Sequence, residues 1–276
     1  MTKTNLTGVG DLIRRALTAF HHEGADRLFF YGVRYLSWNL RFHRLIRSFP
    51  EPVRTIIFKL IRYLVRNAIW LLKNRYPKKY TDADPYKCIY VDPSNIEYTT
   101  GDMGSKRRGW VVGGDWDQDG DRYMDRTIAK AIKQHFVDKM EWNETILSNK
   151  YSQQQFKERT DAIEQLYQHI HHNGYKSQRQ LLEEDPEAAW SGLNDTMHPL
   201  ANEVTVDIGR DGEILWNMCG QHRLAIAKVL DINYIPVQIM RRHANWQAVR
   251  ETIREDDLIS IEPYHLHPDL VDLTKS

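Results

Sequence analysis

The chain reads as an α+β protein, a mixed small sheet with helices carrying a basic helical segment at its N-terminal end. Three observations predict this class. Short β-branched runs bounded by turn residues recur on both sides of a long helical stretch. Apolar residues at helical spacing fill that stretch. The charge also changes sign near residue 80, with 16 Lys and Arg against four carboxylates up to Tyr80 and 22 against 33 from Thr81 onward. These boundaries divide the chain into a basic amphipathic segment (residues 1–80), a body (81–250) with a helical insertion at about 125–190, and a tail (251–276). With 276 residues, 41% of them hydrophobic, there is enough apolar surface for a packed core.

The basic segment predicts two helices, around Asp11 to Arg47 and Pro52 to Arg75, parted by "SFPEP". In the second, Lys59, Arg62, Arg66 and Lys73 fall within about 60° of one another at about 100° per residue, opposite Ile57, Leu60, Ile61, Leu64, Ala68, Leu71 and Leu72. A helix of this kind over residues 53–75 suits an anionic membrane surface, suits equally packing against the acidic body or in an oligomer, and suits nucleic-acid contact less well. The opening residues "MTKTNLTGVGDLIRR" lack the apolar run and small-residue cleavage site expected of a signal peptide, and no stretch approaches the roughly 18 apolar residues of a membrane span. Cys88 and Cys219 form no CxxC pair, so neither a disulfide scaffold nor a Cys-rich zinc site is expected, and a cytoplasmic protein, peripheral at the membrane at most, is.

After the linker "NRYPKKYTDADPYK", the run "CIYV" closed by "DP" predicts a first strand, and "GWVV" a second that leads into the loop "GGDWDQDGD". Helices are expected near Thr127 to Phe136, Gln153 to His172 and Gln178 to Glu183. "NEVTVDI" and "EILW" then form a hairpin across "GRDG", with Asp211 and Gly212 supplying left-handed turn geometry. The helix "QHRLAIAKVL", the strand "IPVQIMRRH" and the helix "NWQAVRETIRE" complete the body.

The stretch "NMCGQHR" carries the chemistry. A helix that begins here directs unpaired backbone amides and the positive end of its dipole at whatever lies in front. Gly220 allows close approach, while Gln221, His222 and Arg223 add polar groups on the first turn, and an arginine fork suits phosphate oxygens. Two acidic groups could orient an acceptor hydroxyl or hold Mg²⁺ during phosphoryl transfer. Asp115 and Asp117 lie in the Gly-rich loop, beside Trp116, which could stack on a sugar or base; Glu203 and Asp207 lie on the strand before the helix, with Arg210 at its turn. The Asp-rich loop is no EF-hand, because Arg126 stands where the closing glutamate belongs. The histidine groups "HIHHN" and "HLHP" lack a properly spaced third metal ligand.

A hairpin with a "DG" turn, then G-Q-H-R-L-A-I-A-K, a short loop and I-P-V, resembles the core of the ParB/sulfiredoxin superfamily. The likeness covers Asn202 to His243, and "CIYVDPSNIEY" looks like that family's first strand. It implies a domain whose G-x-x-R box, here Gly220 to Arg223, contacts the phosphates of ATP or CTP. The family includes CTP-hydrolysing partition proteins, ParB-like nucleases, ATP-using sulfiredoxins and a free serine kinase whose G-H-H-R is nearest to this G-Q-H-R. Gln221 stands where sulfiredoxins carry their catalytic cysteine, with Cys219 two residues early and read as a packing residue. Roughly 33 residues follow His243, too few for the partition proteins' DNA-reading and dimerisation domains, and an acidic body disfavours nucleic acid. The expectation is therefore a nucleotide-dependent phosphotransferase or NTPase acting with Mg²⁺ on a small or lipid-linked hydroxylated acceptor, with Asp115, Asp117 and His222 as catalytic candidates. The alternative is a non-catalytic nucleotide-binding or DNA-associated module.

Overall fold

Nine consecutive buried residues, Ile235–His243, form the strand around which the body is built. They belong to a computed structural model that describes residues 46, 48–102, 107–190, 196, 198–256 and 267–273. The helix expected from Asp11 to Arg47 lies almost wholly outside the described residues, as does His265. The chain divides into two units, Met1–Phe58 and Lys59–Ser276, and all contacts given below lie within the second.

In chain order the elements are α1 (Glu51–Arg75), β1 (Cys88–Val91), β2 (Trp110–Val112), α2 (Thr127–Phe136), α3 (Gln153–Asn173), α4 (Gln178–Glu184), α5 (Pro186–Ala189), β3 (Val204–Ile208), β4 (Ile214–Trp216), α6 (Gln221–Val229), β5 (Ile235–His243) and α7 (Ala244–Asp256). Seven helices and a mixed five-stranded sheet among the described residues make this an α+β fold. The sheet runs β1, β5, β3, β4. Along one side of β5, β1 pairs antiparallel with its first half and β2 pairs parallel with its second half. On the other side lies β3, parallel, with a register shift between Val206 and Ile208. Pairing on both sides explains why β5 has no exposed residue: its backbone polar groups must be satisfied inside the sheet, and long apolar runs are usual in such strands.

Local signals account for the helix ends. Ser152 and Ser177 open α3 and α4 as capping boxes with Gln155 and Gln180, each satisfying an amide the helix leaves free. The β3–β4 hairpin differs from its expected turn. Gly212 alone adopts a left-handed conformation (φ 95°), and Asp211 does not. Packing also requires glycine at 212, since a Cβ there would come within 2.7 Å of the Trp246 ring. Ile132, Ile163, Val206, Leu224, Val237 and Trp246 join the sheet, α2, α3, α6 and α7 in one hydrophobic cluster.

Buried charge holds the rest. Arg241, fully buried, donates to Asp207 at 2.9 Å, to Thr100 at 2.8 Å and to Asp102. Arg242 grips Asp269 through two nitrogens at 2.8 and 2.5 Å. Arg250, also fully buried, bonds Asp82 and Asp272 and the carbonyl of Asp269. Among the described residues no helix is long and apolar enough to cross a membrane.

Candidate functional site

The start of α6 is built by its neighbours. Gly220 takes the left-handed conformation (φ 74°, ψ 23°), and a Cβ there would lie 2.7 to 2.9 Å from Val204 at the head of β3. Only glycine fits that approach. The chain before it is held by three hydrogen bonds: Cys219 N–H donates to Thr205 Oγ1 at 2.9 Å, Asn217 N–H to the Thr205 carbonyl at 3.0 Å, and Trp216 Nε1–H to the Cys219 carbonyl at 2.9 Å. Tyr123 Oη donates to the Gln221 carbonyl at 2.6 Å. No side chain of the N-cap residue covers the helix start, and Met218 to His222 are half-buried, open on one side. The result is a fixed turn without a side-chain cap, set at a dipole's positive end.

Arg223 points the other way. It is buried, with Nη1 3.4 Å from Glu203 Oε2, Nη2 donating to the Lys176 carbonyl, and its guanidinium 4.4 Å from the centroid of the Tyr175 ring. Glu203 Oε1 also accepts the Gln178 amide at 2.5 Å. Burial pushes the Glu203 carboxyl up, and Arg223 with that amide opposes it. Arg223 and Glu203 thus tie the first turn of α6 to the start of α4. Gln221 and His222 stay at the half-buried face with Gly220. Cys219 forms no disulfide among the described residues, and its backbone serves the turn.

Asp115 and Asp117 lie elsewhere. Arg210, in the β3–β4 turn, donates to Asp117 through its backbone N–H at 2.8 Å, Nε at 2.9 Å and Nη2 at 2.8 Å, and to Asp115 at 2.9 Å. That turn closes the C-terminal end of β3, whereas Gly220 packs at its N-terminal end. The structure therefore joins Asp115, Asp117 and Arg210 to one another and separates them from the α6 start by the length of a strand. Burial raises the Asp117 carboxyl, but the bonds from Arg210 outweigh it and leave it below its ordinary value. One face of Trp116 is covered by the Arg241 guanidinium, 3.7 Å from the ring centroid, so that face cannot stack on a base. Asp207 accepts from Arg241 and, at 2.8 and 2.9 Å, from Asn217; it is fully buried. It supports the loop ahead of α6 from behind, with no exposed surface of its own.

A bound Mg²⁺ finds a poor fit in this donor set. The Asp117 oxygens are both taken by Arg210, and among the described residues no group of three His, Cys, Asp or Glu is placed to hold a metal. On α3 the exposed His171 stacks on Tyr167, the exposed His172 hydrogen-bonds the Gln168 carbonyl through Nδ1 at 2.8 Å, and the half-buried His169 meets the Asn173 amide at 3.4 Å. His267 caps the turn over Asp269. Sequence reasoning missed Arg108 and Tyr86, described below, whose only sequence signals are a dibasic "RR" and an aromatic in the linker. Comparison of the chain with protein-family models, with curated proteins and with solved structures finds no match.

Proposed function

We propose that the chain is a nucleotide-binding protein of the ParB/sulfiredoxin-like kind, taking the phosphates of ATP or CTP at the start of α6. The observation that carries this reading is the helix start itself. Its backbone is fixed from three sides, Gly220 removes any side chain from the approach, and the turn stays open. Preorganised amides at a helix N-terminus suit a phosphate oxygen without rearrangement. In this reading Gln221 and His222 line the anion, and Arg223 is a positioning residue that holds the turn through Glu203.

Binding is supported further than phosphoryl transfer. The carboxylates expected to orient an acceptor, Asp115 and Asp117, are engaged by Arg210 at the far end of β3. We derive no step through Mg²⁺. Transfer to a hydroxylated or lipid-linked acceptor is the second reading, favoured by the likeness of G-Q-H-R to the kinase branch.

Titration calorimetry with ATP and CTP on the wild type and on Gln221→Glu tests the first reading. A carboxylate in the first turn favours the helix and repels phosphate, so affinity falls at least about tenfold, which is about 1.4 kcal/mol, while the fold is kept. Unchanged affinity in a folded Gln221→Glu protein would remove the α6 start from nucleotide binding. Steady hydrolysis, or labelling of an acceptor from γ-labelled ATP, would overturn the preference for binding alone.

A further inference from the structure

Three arginines gather near Tyr86, in the linker ahead of β1, and a fourth lies within electrostatic reach of one of them. The guanidinium carbons of Arg62 and Arg108 lie 4.7 and 4.6 Å from the centroid of its ring, and that of Arg66 lies 6.0 Å away. Exposed Arg179, in the first turn of α4, is close enough to repel Arg62. The acid at this place is Asp84, and Arg66 already occupies both of its oxygens at 2.8 and 2.5 Å. Arg108 donates one N–H to the Pro85 carbonyl at 2.8 Å. Among the described residues, neither Arg108 nor Arg179 has a carboxylate within ion-pair distance.

Like charges repel at this range, so their assembly needs a structural cause. Gly109 supplies one. It has φ 75°, and a Cβ there would come within 2.5 Å of Ile69 on α1. Glycine thus lets α1 seat on the segment before β2, and this carries Arg62 and Arg66 onto Arg108. The cluster is also electrostatically coupled to the site already described. Arg108 is within electrostatic reach of Cys219, immediately ahead of Gly220, and both Arg108 and Arg62 are within reach of Cys88 at the start of β1. Burial lowers Arg62 and Arg108 from the ordinary arginine value, and Arg66 lowers Arg62 further. An anion among them relieves both effects.

We infer that Arg62 and Arg108, held on Tyr86, and Arg179 beside Arg62 bind the outer phosphates of a nucleotide's triphosphate chain whose inner end lies at the start of α6. This rests on the nucleotide reading and deepens it. Arg108 and Arg179, with no carboxylate at ion-pair distance among the described residues, call for a multiply charged anion, and planar guanidinium forks match the oxygens of successive phosphates. A lone phosphate needs only the α6 start.

The test is calorimetry on the intact chain with ATP, CTP, AMP and inorganic tripolyphosphate, using the wild type, Arg179→Gln, Arg108→Gln, Arg108→Lys and Gln221→Glu. Arg179 is exposed, so Arg179→Gln keeps the fold whatever Arg108→Gln does. The expected result is at least tenfold weaker ATP or CTP binding in Arg179→Gln and Arg108→Gln with AMP affinity unchanged. Arg108→Lys should retain part of the triphosphate affinity, and the salt dependence of binding should be shallower in the Gln variants. Unchanged triphosphate affinity in both folded Gln variants, with loss in Gln221→Glu, overturns the arginine site and leaves the α6 reading standing. Arginine-dependent binding of tripolyphosphate without binding of either nucleotide keeps the anion site and overturns the nucleotide reading. A wild type that binds none of the four overturns both.

Discussion

Arg223 shows how one side chain can serve a site without facing its ligand. With Glu203 it forms a buried pair, and a buried pair is costly to break because the survivor is left charged without a partner. Glu203→Ala should therefore destabilise the protein by about 3–5 kcal/mol, read as a lower denaturation midpoint in urea. The double variant Glu203→Gln, Arg223→Met should recover part of that loss, since it removes both charges and keeps volume. A double variant no more stable than Glu203→Ala would show that the pair is not the source of the effect. Gly220 is the second test at this scale. Alanine there must hold a left-handed conformation and meet the Val204 backbone, so Gly220→Ala should cost more than the roughly 1–2 kcal/mol of backbone strain alone. A midpoint shift below about 0.5 kcal/mol would mean that the turn relaxes freely and is not preorganised.

At the scale of elements, α1 is turned opposite to the arrangement that attracts cations to headgroups. Arg66 pairs with Asp84, Lys73 reaches Glu251 at 2.7 Å, and Arg62 lies on Tyr86, all toward the body. Leu60, Leu64, Trp70 and Leu71 point outward, at 56, 56, 63 and 60% exposure. If residues 53–75 meet a membrane, they do so through this apolar row. Vesicle co-sedimentation should then be lost in Leu64→Asp, Leu71→Asp, with thermal stability unchanged because both positions are exposed. Equal sedimentation of that variant and the wild type would dismiss the membrane contact. The elements themselves were legible: strands at "CIYV", "VTVDI" and "IPVQI" and helices from Thr127 and Gln221 follow from periodicity, turn residues and caps, all local properties. The pairing of β1 and β2 along the same side of β5 was not legible, because it depends on contacts up to 150 residues apart. The site divides likewise. Gly220 announces a helix start, but the inward turn of Arg223 is set by Tyr175 and Glu203. Asp117 reads as a free loop acid until Arg210, 93 residues on, takes it.

Across the whole body, arginines and aspartates far apart in sequence replace part of the usual apolar core, and this fixes how stability must depend on pH. Asp269, at the end of the chain's described part, is held by Arg242, Arg250 and the Trp246 indole at 2.9 Å. Burial raises the carboxyls of Asp82 and Asp269, yet their arginines outweigh it and hold both below the ordinary value. Such groups contribute stability that is present above the unfolded-state value of about 4 and is lost as pH falls through the lower folded value. His267 adds a shallower effect at higher pH. Its Nε2–H donates to the Gly212 carbonyl at 2.9 Å while Nδ1 accepts the Asp269 amide at 3.1 Å, which is the neutral ring. Burial lowers its value. The unfolded chain then takes up this proton first, so stability should begin to fall below about pH 6.5, gently, and steeply below about pH 4. Thermal midpoints of the wild type between pH 8 and pH 3 should show both steps, and His267→Asn should lose the upper one while keeping the lower. Asp269→Asn should be less stable at pH 7 and show a flatter fall in acid, because the group that loses its charge there is already gone. An acid limb as steep in Asp269→Asn as in the wild type would mean that this buried lattice does not govern the acid stability of the fold.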